Sequence, residues 1–252
     1  MLHACIALAF LQVPGSQEPP APAPPALFLD ATEALGLGSD VVPETVPRVA
    51  FAYLDGDDAP DLVVGRSRVF LNRMAEDRGF VEVEQPGLPE PVSGGPVVFA
   101  DLDGDGHADA LVCEVVDADS EKDHGRRTRW LPGRGDGTFG EARALPVVRP
   151  GTCHSVAVTD VDRDGVLDLW LGGWYERYGA SYAGEPSQLL FGAVDAEGAL
   201  SYRGFELPAP GSVEDRDPGG GWDEGGRPTY GSLVVDLEGD GFPELLEANY
   251  GR

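Results

Sequence analysis

The chain has 252 residues, 42% of them hydrophobic, which is enough apolar material for a packed core in one or two domains. Against 18 Lys and Arg stand 44 Asp and Glu, a formal net charge of -26, so repulsion over most of the surface argues against nucleic acid and anionic membranes as partners. An acidic excess of this size reflects either a solvated surface or carboxylates gathered around cations, and their distribution along the chain decides between the two.

The first element is an apolar run from Leu2 to Leu11, too short to span a bilayer and of the length of a signal-peptide core. Residues 1–16 are read as an export signal, although no Lys or Arg precedes the run and an ordinary buried segment has the same composition. Residues 17–26 alternate Pro with Ala and favour an extended polyproline tether. Past the signal only Cys113 and Cys153 remain, either one disulfide or two buried thiols. No later apolar run is long enough to cross a membrane, so no membrane span is expected.

Four acidic segments then recur, at 53–61 (YLDGDDAPD), 101–109 (DLDGDGHAD), 160–168 (DVDRDGVLD) and 236–244 (DLEGDGFPE). Each carries four acids, so these loops hold 16 of the 44 carboxylates, a density that repels itself unless a cation sits among them. Ca²⁺ fits the pattern because it takes six to eight hard oxygens, and acids at positions 1, 3, 5 and 9 of a tight loop converge on one point. A glycine at position 6 permits the turn, and position 7 offers a backbone carbonyl. The candidate ligands are therefore Asp55, Asp57 and Asp61; Asp101, Asp103, Asp105, His107 and Asp109; Asp160, Asp162, Asp164, Val166 and Asp168; and Asp236, Glu238, Asp240, Phe242 and Glu244. The first loop departs from the pattern, with Tyr53 at position 1 and Asp58 in place of the glycine, and its metal occupancy stays open. The fourth keeps every charge, but its longer Glu238 and Glu244 predict weaker binding.

The flanks are short and β-leaning, as in Val97-Val98-Phe99-Ala100 before the second loop and Ala110-Leu111-Val112-Cys113 after it. An EF-hand needs flanking helices and Glu at position 12, where this chain has Val64, Val112, Leu171 and Glu247. Third and fourth strands are predicted at 68–72 and 79–83, at 128–131 and 139–148, and at 187–191 and 200–205. The loops start 48, 59 and 76 residues apart, the length of a four-stranded propeller blade, which excludes a nine-residue β-roll repeat.

These loops resemble the FG-GAP or VCBS repeats of integrin α-subunit propellers, and the turn at 133–140 (GRGDGTFG) is similar to one these repeats carry. More narrowly, Val69-Phe70-Leu71-Asn72-Arg73 with Gly79-Phe80, and Glu247-Ala248-Asn249-Tyr250-Gly251, look like the cartilage-acidic-protein and UnbV group of secreted propellers. The resemblance spans residues 27–252 and implies an all-β propeller with Ca²⁺ in its hairpin loops. It also implies rings of about seven blades, so four blades with an unfinished last one are expected to be part of a larger ring. Residues 28–37 read like an N-terminal strand that completes a last blade.

Catalytic signals are weak. Residues 135–140 satisfy G-x-G-x-x-G but lead into no helix, and H-E-x-x-H, G-x-S-x-G and P-loop motifs do not occur. The chain is therefore read as non-enzymatic. Insertions at 117–127, 174–186 and 210–228 are the candidate partner loops, with Trp174, Tyr175, Tyr178 and Tyr182 either a stacking patch or padding against the fold. The expected role is a secreted, calcium-binding structural, adhesion or ligand-binding module for an extracellular protein or glycan. The alternative is a carbohydrate-engaging accessory part of a secreted enzyme whose catalytic domain lies outside this chain.

Overall fold

Each acidic loop joins the first two strands of an antiparallel sheet in a computed structural model, which describes residues 29–38, 41, 48–89, 95–114, 128–145, 153–175, 184–207 and 227–249. The export signal and the proline-rich linker at 1–26, and much of the three insertions, lie outside these residues. Residues 32–252 form one compact unit that holds every strand found among the described residues; of the unit at 1–31, residues 29–31 are described and have no regular structure.

The first sheet orders β1 (Val49–Ala52), β2 (Asp61–Val64), β3 (Arg68–Asn72) and β4 (Phe80–Glu82) as neighbours in sequence. The second repeats this with β5 (Val97–Ala100), β6 (Asp109–Val112), β7 (Arg129–Leu131) and β8 (Arg143–Ala144). The third has the longest strands, β9 (Cys153–Thr159), β10 (Asp168–Gly173), β11 (Ser187–Val194) and β12 (Leu200–Leu207). The fourth pairs β13 (Thr229–Val235) with β14 (Glu244–Asn249). Three meandering four-stranded sheets followed by a two-stranded one are the blades of an all-β, propeller-like fold.

The second strand of each of the first three sheets is buried along its whole length, which explains why β2, β6 and β10 read as an acid followed by unbroken apolar residues instead of an alternation. Their two faces supply two cores. Val63 and Val69 of the first sheet pack with Ala110, Val112 and Leu131 of the second, while Leu111 and Trp130 pack with Leu169, Leu171 and Leu190 of the third. Between the third and fourth sheets the contact is aromatic and polar, with the Tyr230 ring 5.4 Å from His154 and 5.7 Å from Trp174. Glu247 Oε1 accepts from Trp170 Nε1 at 3.1 Å and Ser187 Oγ at 2.8 Å across it, and from Thr229 Oγ1 at 3.0 Å within the fourth sheet. Ser155 and Ser232 hydroxyls meet at 2.8 Å beside them.

Two expectations are corrected. Residues 32–36 form turns, not the strand expected across 28–37, and Leu35 and Leu37 instead cover Leu62, Val64, Phe70 and Phe80 on the outer face of the first sheet. The Leu35 carbonyl accepts the Phe80 N–H at 2.8 Å, so one bond and apolar cover replace a strand ladder. Of the fourth strand expected across 139–148, residues 146–148 lie outside the described residues, and within 139–145 only Arg143–Ala144 is strand, because the tight turn at 134–138 takes Phe139 into an isolated bridge with Gly133. That turn absorbs the glycine-rich motif and leads into β8.

Other sequence questions are answered in part. Cys113 and Cys153 are free thiols, both buried in the core between the second and third sheets. Trp174 and Tyr175 are buried, and Trp174 stacks on His154 with ring centroids 4.0 Å apart, so these two rings pad the fold; Tyr178 and Tyr182 lie outside the described residues. Arg66, in the left-handed region at φ 77° between β2 and β3, is buried and donates to the Cys113 carbonyl at 2.7 Å, a tie between the first two sheets that the sequence pattern does not announce.

Candidate metal-binding loops

The last acid of every loop is the first residue of a second strand, and it organises the hairpin from below. Its one carboxylate oxygen accepts the N–H of loop position 2: Leu54 from Asp61 at 2.9 Å, Leu102 from Asp109 at 2.9 Å, Val161 from Asp168 at 2.7 Å and Leu237 from Glu244 at 2.6 Å. The other oxygen, in the first three sheets, accepts an N–H from just past the ladder between the second and third strands: Asn72 at 2.8 Å, Gly133 at 2.7 Å and Gly192 at 2.8 Å. Asp61, Asp109 and Asp168 are consequently almost inaccessible to water. Burial, the largest cause, raises all three carboxyl pKa values, that of Asp109 to about 6, against the opposing pull of the donated N–H groups.

Position 1 organises the loop from above. Both oxygens of Asp101 accept N–H groups, from Gly104 at 2.8 Å and Gly106 at 3.0 Å, and Asp160 and Asp236 hold the equivalent residues Gly165 and Gly241 at 2.9 and 2.8 Å. Position 5 caps the N–H of position 7 at 2.8 Å in each of these loops, from His107 to Asp105, Val166 to Asp164 and Phe242 to Asp240. This fixes where His107, Val166 and Phe242 sit on the loop.

The outcome is three clusters of carboxylate oxygens lying within 4.8 Å of one another: Asp101, Asp103 and Asp109; Asp160, Asp162 and Asp168; and Asp236, Asp240 and Glu244. Oxygens on opposite sides of one Ca²⁺ are about 4.6–5.2 Å apart, twice its ligand distance, so the spacing and the all-oxygen donor set both fit that ion. Among the described residues no guanidinium or ammonium pairs with these carboxylates. Asp105, Asp164 and Glu238 stand outside the three clusters.

The first loop is different. Asp55, Asp57 and Asp61 form no such cluster; Arg73 donates to Asp55 Oδ2 through Nη2 and to Asp57 Oδ2 through Nη1, the latter at 3.1 Å. Asp61 keeps only the hairpin role shared by its counterparts.

Neighbouring loops touch. The Gly137 N–H donates to the Leu54 carbonyl at 2.9 Å, and the Arg163 guanidinium lies 4.8 Å over the ring of Phe242, linking the third loop to the fourth. A groove of about 340 Å³ runs between the first and second loops, with Tyr53, Asp57, Asp58 and His107 on its walls.

The family model described as FG-GAP-like repeat matches residues 53–112 and 115–171. Residues 53–112 and 115–171 read as FG-GAP-like repeats. The first match contains the first two acidic loops and the second contains the third, whereas the fourth loop lies beyond both. No curated protein matches the chain. The narrower likeness to the cartilage-acidic-protein and UnbV group rests on the short motifs alone.

Proposed function

We propose that the chain is an exported, calcium-binding FG-GAP-repeat module whose loop-bearing edge serves adhesion or ligand binding outside the cell, with no catalytic role of its own. The observation that carries this is the set of three carboxylate clusters within 4.8 Å, built on the same hydrogen-bond plan in successive sheets. Bound there, Ca²⁺ supplies positive charge and oxygen coordination. Asp101, Asp103 and Asp109, then Asp160, Asp162 and Asp168, then Asp236, Asp240 and Glu244 would hold it.

Charge supports a structural role for the ion. Each cluster joins three carboxylates in a chain of net charge -26, and Asp103 is already raised in pKa by burial and by Asp105, so a cation relieves a repulsion present in the fold itself. Because each loop ties the first strand of its sheet to the second, fixing the loop fixes the edge that faces a partner. The apolar run at 2–11 supports export.

Calorimetric titration of the metal-free full chain with Ca²⁺ tests the reading. The expected result is binding at two or more sites, one of them lost in each of Asp103→Asn and Asp162→Asn, with a melting temperature that rises with Ca²⁺ concentration as linkage requires. Absence of calcium binding, with a melt indifferent to chelator, would falsify it.

A further inference from the structure

We infer that the first loop is a metal-independent member of the series, in which the guanidinium of Arg73 stands where its sisters place a cation. The inference rests on the calcium reading only for its contrast with the other loops.

Arg73 is held for this task by its backbone. It follows β3 directly, its N–H donates to the Gly79 carbonyl at 2.7 Å, and its own carbonyl accepts from Glu76 at 3.0 Å and Arg78 at 3.1 Å. The short turn at Met74–Glu76 closes through Asp77 in the left-handed region at φ 56°, which returns the chain to β4 and leaves the Arg73 side chain free to reach across to the loop. There it spans two carboxylates, with Asp55 almost buried at 8% exposure and Asp57 at 45%. Asn72 adds a clip, its amide donating to the Pro60 carbonyl at 3.1 Å.

The loop itself lacks what a metal site in this series has. Tyr53 stands at position 1, so no carboxylate gathers the N–H groups of positions 4 and 6 as Asp101 and Asp236 do. Asp57 and Asp61 therefore gain no third partner from above, and Asp55 is committed to the guanidinium. A planar fork bound to two carboxylates already supplies the charge and the directional donors that a spherical ion supplies elsewhere.

Equivalent positions in the other sheets make the assignment specific to Arg73. The position-9 acids accept from Asn72, Gly133 and Gly192, so the residues that follow, Arg73, Arg134 and Ala193, correspond. Ala193 has no charge to offer, and Arg134 turns the other way, donating to Thr138 Oγ1 at 3.4 Å within its own turn. Two sheets thus leave the loop open to a cation, and one fills it.

The test uses the full chain in chelator and then in Ca²⁺. In chelator, Arg73→Gln and Asp55→Asn are each expected to lower the melting temperature by about 2–4 °C, and the double variant by no more than Arg73→Gln alone, since that change already removes the bond to Asp55 along with the one to Asp57. Arg73→Lys, which keeps the charge and loses the fork, falls between wild type and Arg73→Gln and serves if the Gln variant does not fold. In Ca²⁺, Asp55→Asn leaves the number of calcium sites as in wild type while Asp103→Asn removes one. If Asp55→Asn removes a calcium site, or if the two changes are additive in chelator, the inference is overturned while the calcium reading stands. If no calcium binds anywhere, the calcium reading falls, and the coupling in chelator still decides the role of Arg73.

Discussion

A single buried carboxylate at the head of each second strand does more for these hairpins than its charge suggests. Asp109 accepts the N–H of Leu102 and of Gly133 and is inaccessible to water, so Asp109→Ala strands two donors and is expected to destabilise the metal-free protein by about 2–4 kcal/mol, read from urea unfolding. Asp109→Asn, which retains one acceptor oxygen, is expected to lose roughly half as much. His154 makes a second prediction. Burial, ahead of every other cause, lowers its pKa from 6.5, and its ring stacks on Trp174. The folded state therefore binds this proton less readily than the unfolded state, so the contribution is neutral above pH 6.5 and destabilising as pH falls below it. Melting temperatures between pH 7.5 and 5 are expected to fall less steeply in His154→Gln than in wild type, each referred to its own value at pH 7.5; equal slopes would remove His154 from the acid response.

At the scale of elements, the four loops share the bond from the position-2 N–H to the last acid and the cap of position 7 by position 5, and glycine is required where backbone meets backbone. A Cβ on Gly133 would lie 2.3 Å from the Ala108 carbonyl oxygen, in the close approach between the second loop and the strand end that feeds Asp109. Gly56, at φ 76° in the first loop, faces open space. Gly133→Ala is therefore expected to destabilise by about 2–3 kcal/mol through forced backbone movement, and Gly56→Ala by about 1 kcal/mol through the left-handed conformation alone. Denaturation midpoints of the two variants compare them directly, and equal losses would mean that the backbone at Gly133 moves aside freely.

At the scale of the whole molecule, charge and burial oppose each other. A net charge of -26 with carboxylates clustered at hairpin tips predicts that salt stabilises the metal-free protein: raising NaCl from about 0.05 to 0.5 M, which shortens the screening length from roughly 14 to 4 Å, should raise its melting temperature. With saturating Ca²⁺ the same salt step should raise it less, because the most crowded charges are already neutralised. A salt response unchanged by Ca²⁺ would separate the stability of the fold from its loops. The sheets also differ in how they meet, through aliphatic cores between the first three and through aromatic rings and the hydrogen bonds of Glu247 at the fourth. Aliphatic residues on the fourth sheet, Leu233 and Leu246 among them, remain exposed.

The sequence alone determined the repeat, the loop positions and the all-β class, because spacing of acids and glycines and the apolar runs behind them are local properties. It located β3 and β5 at their observed ends and β6 to within a residue, since each is an apolar run bounded by loop signals. It marked the first loop as unusual through Tyr53 and Asp58, yet it gave no sign of Arg73, which lies 12 residues beyond the loop and reaches it only because Asn72 pairs with Phe80 and bonds to Asp61. It likewise misread residues 28–37 as a strand, because an apolar segment that covers a sheet face and one that joins a sheet have the same composition. Only the tertiary structure decided which oxygens converge, which cation-bearing side chain enters a loop, and that the last acid of each loop is first of all a backbone acceptor. Those facts depend on register between strands, and register is fixed by packing across the sheets and not by any single segment.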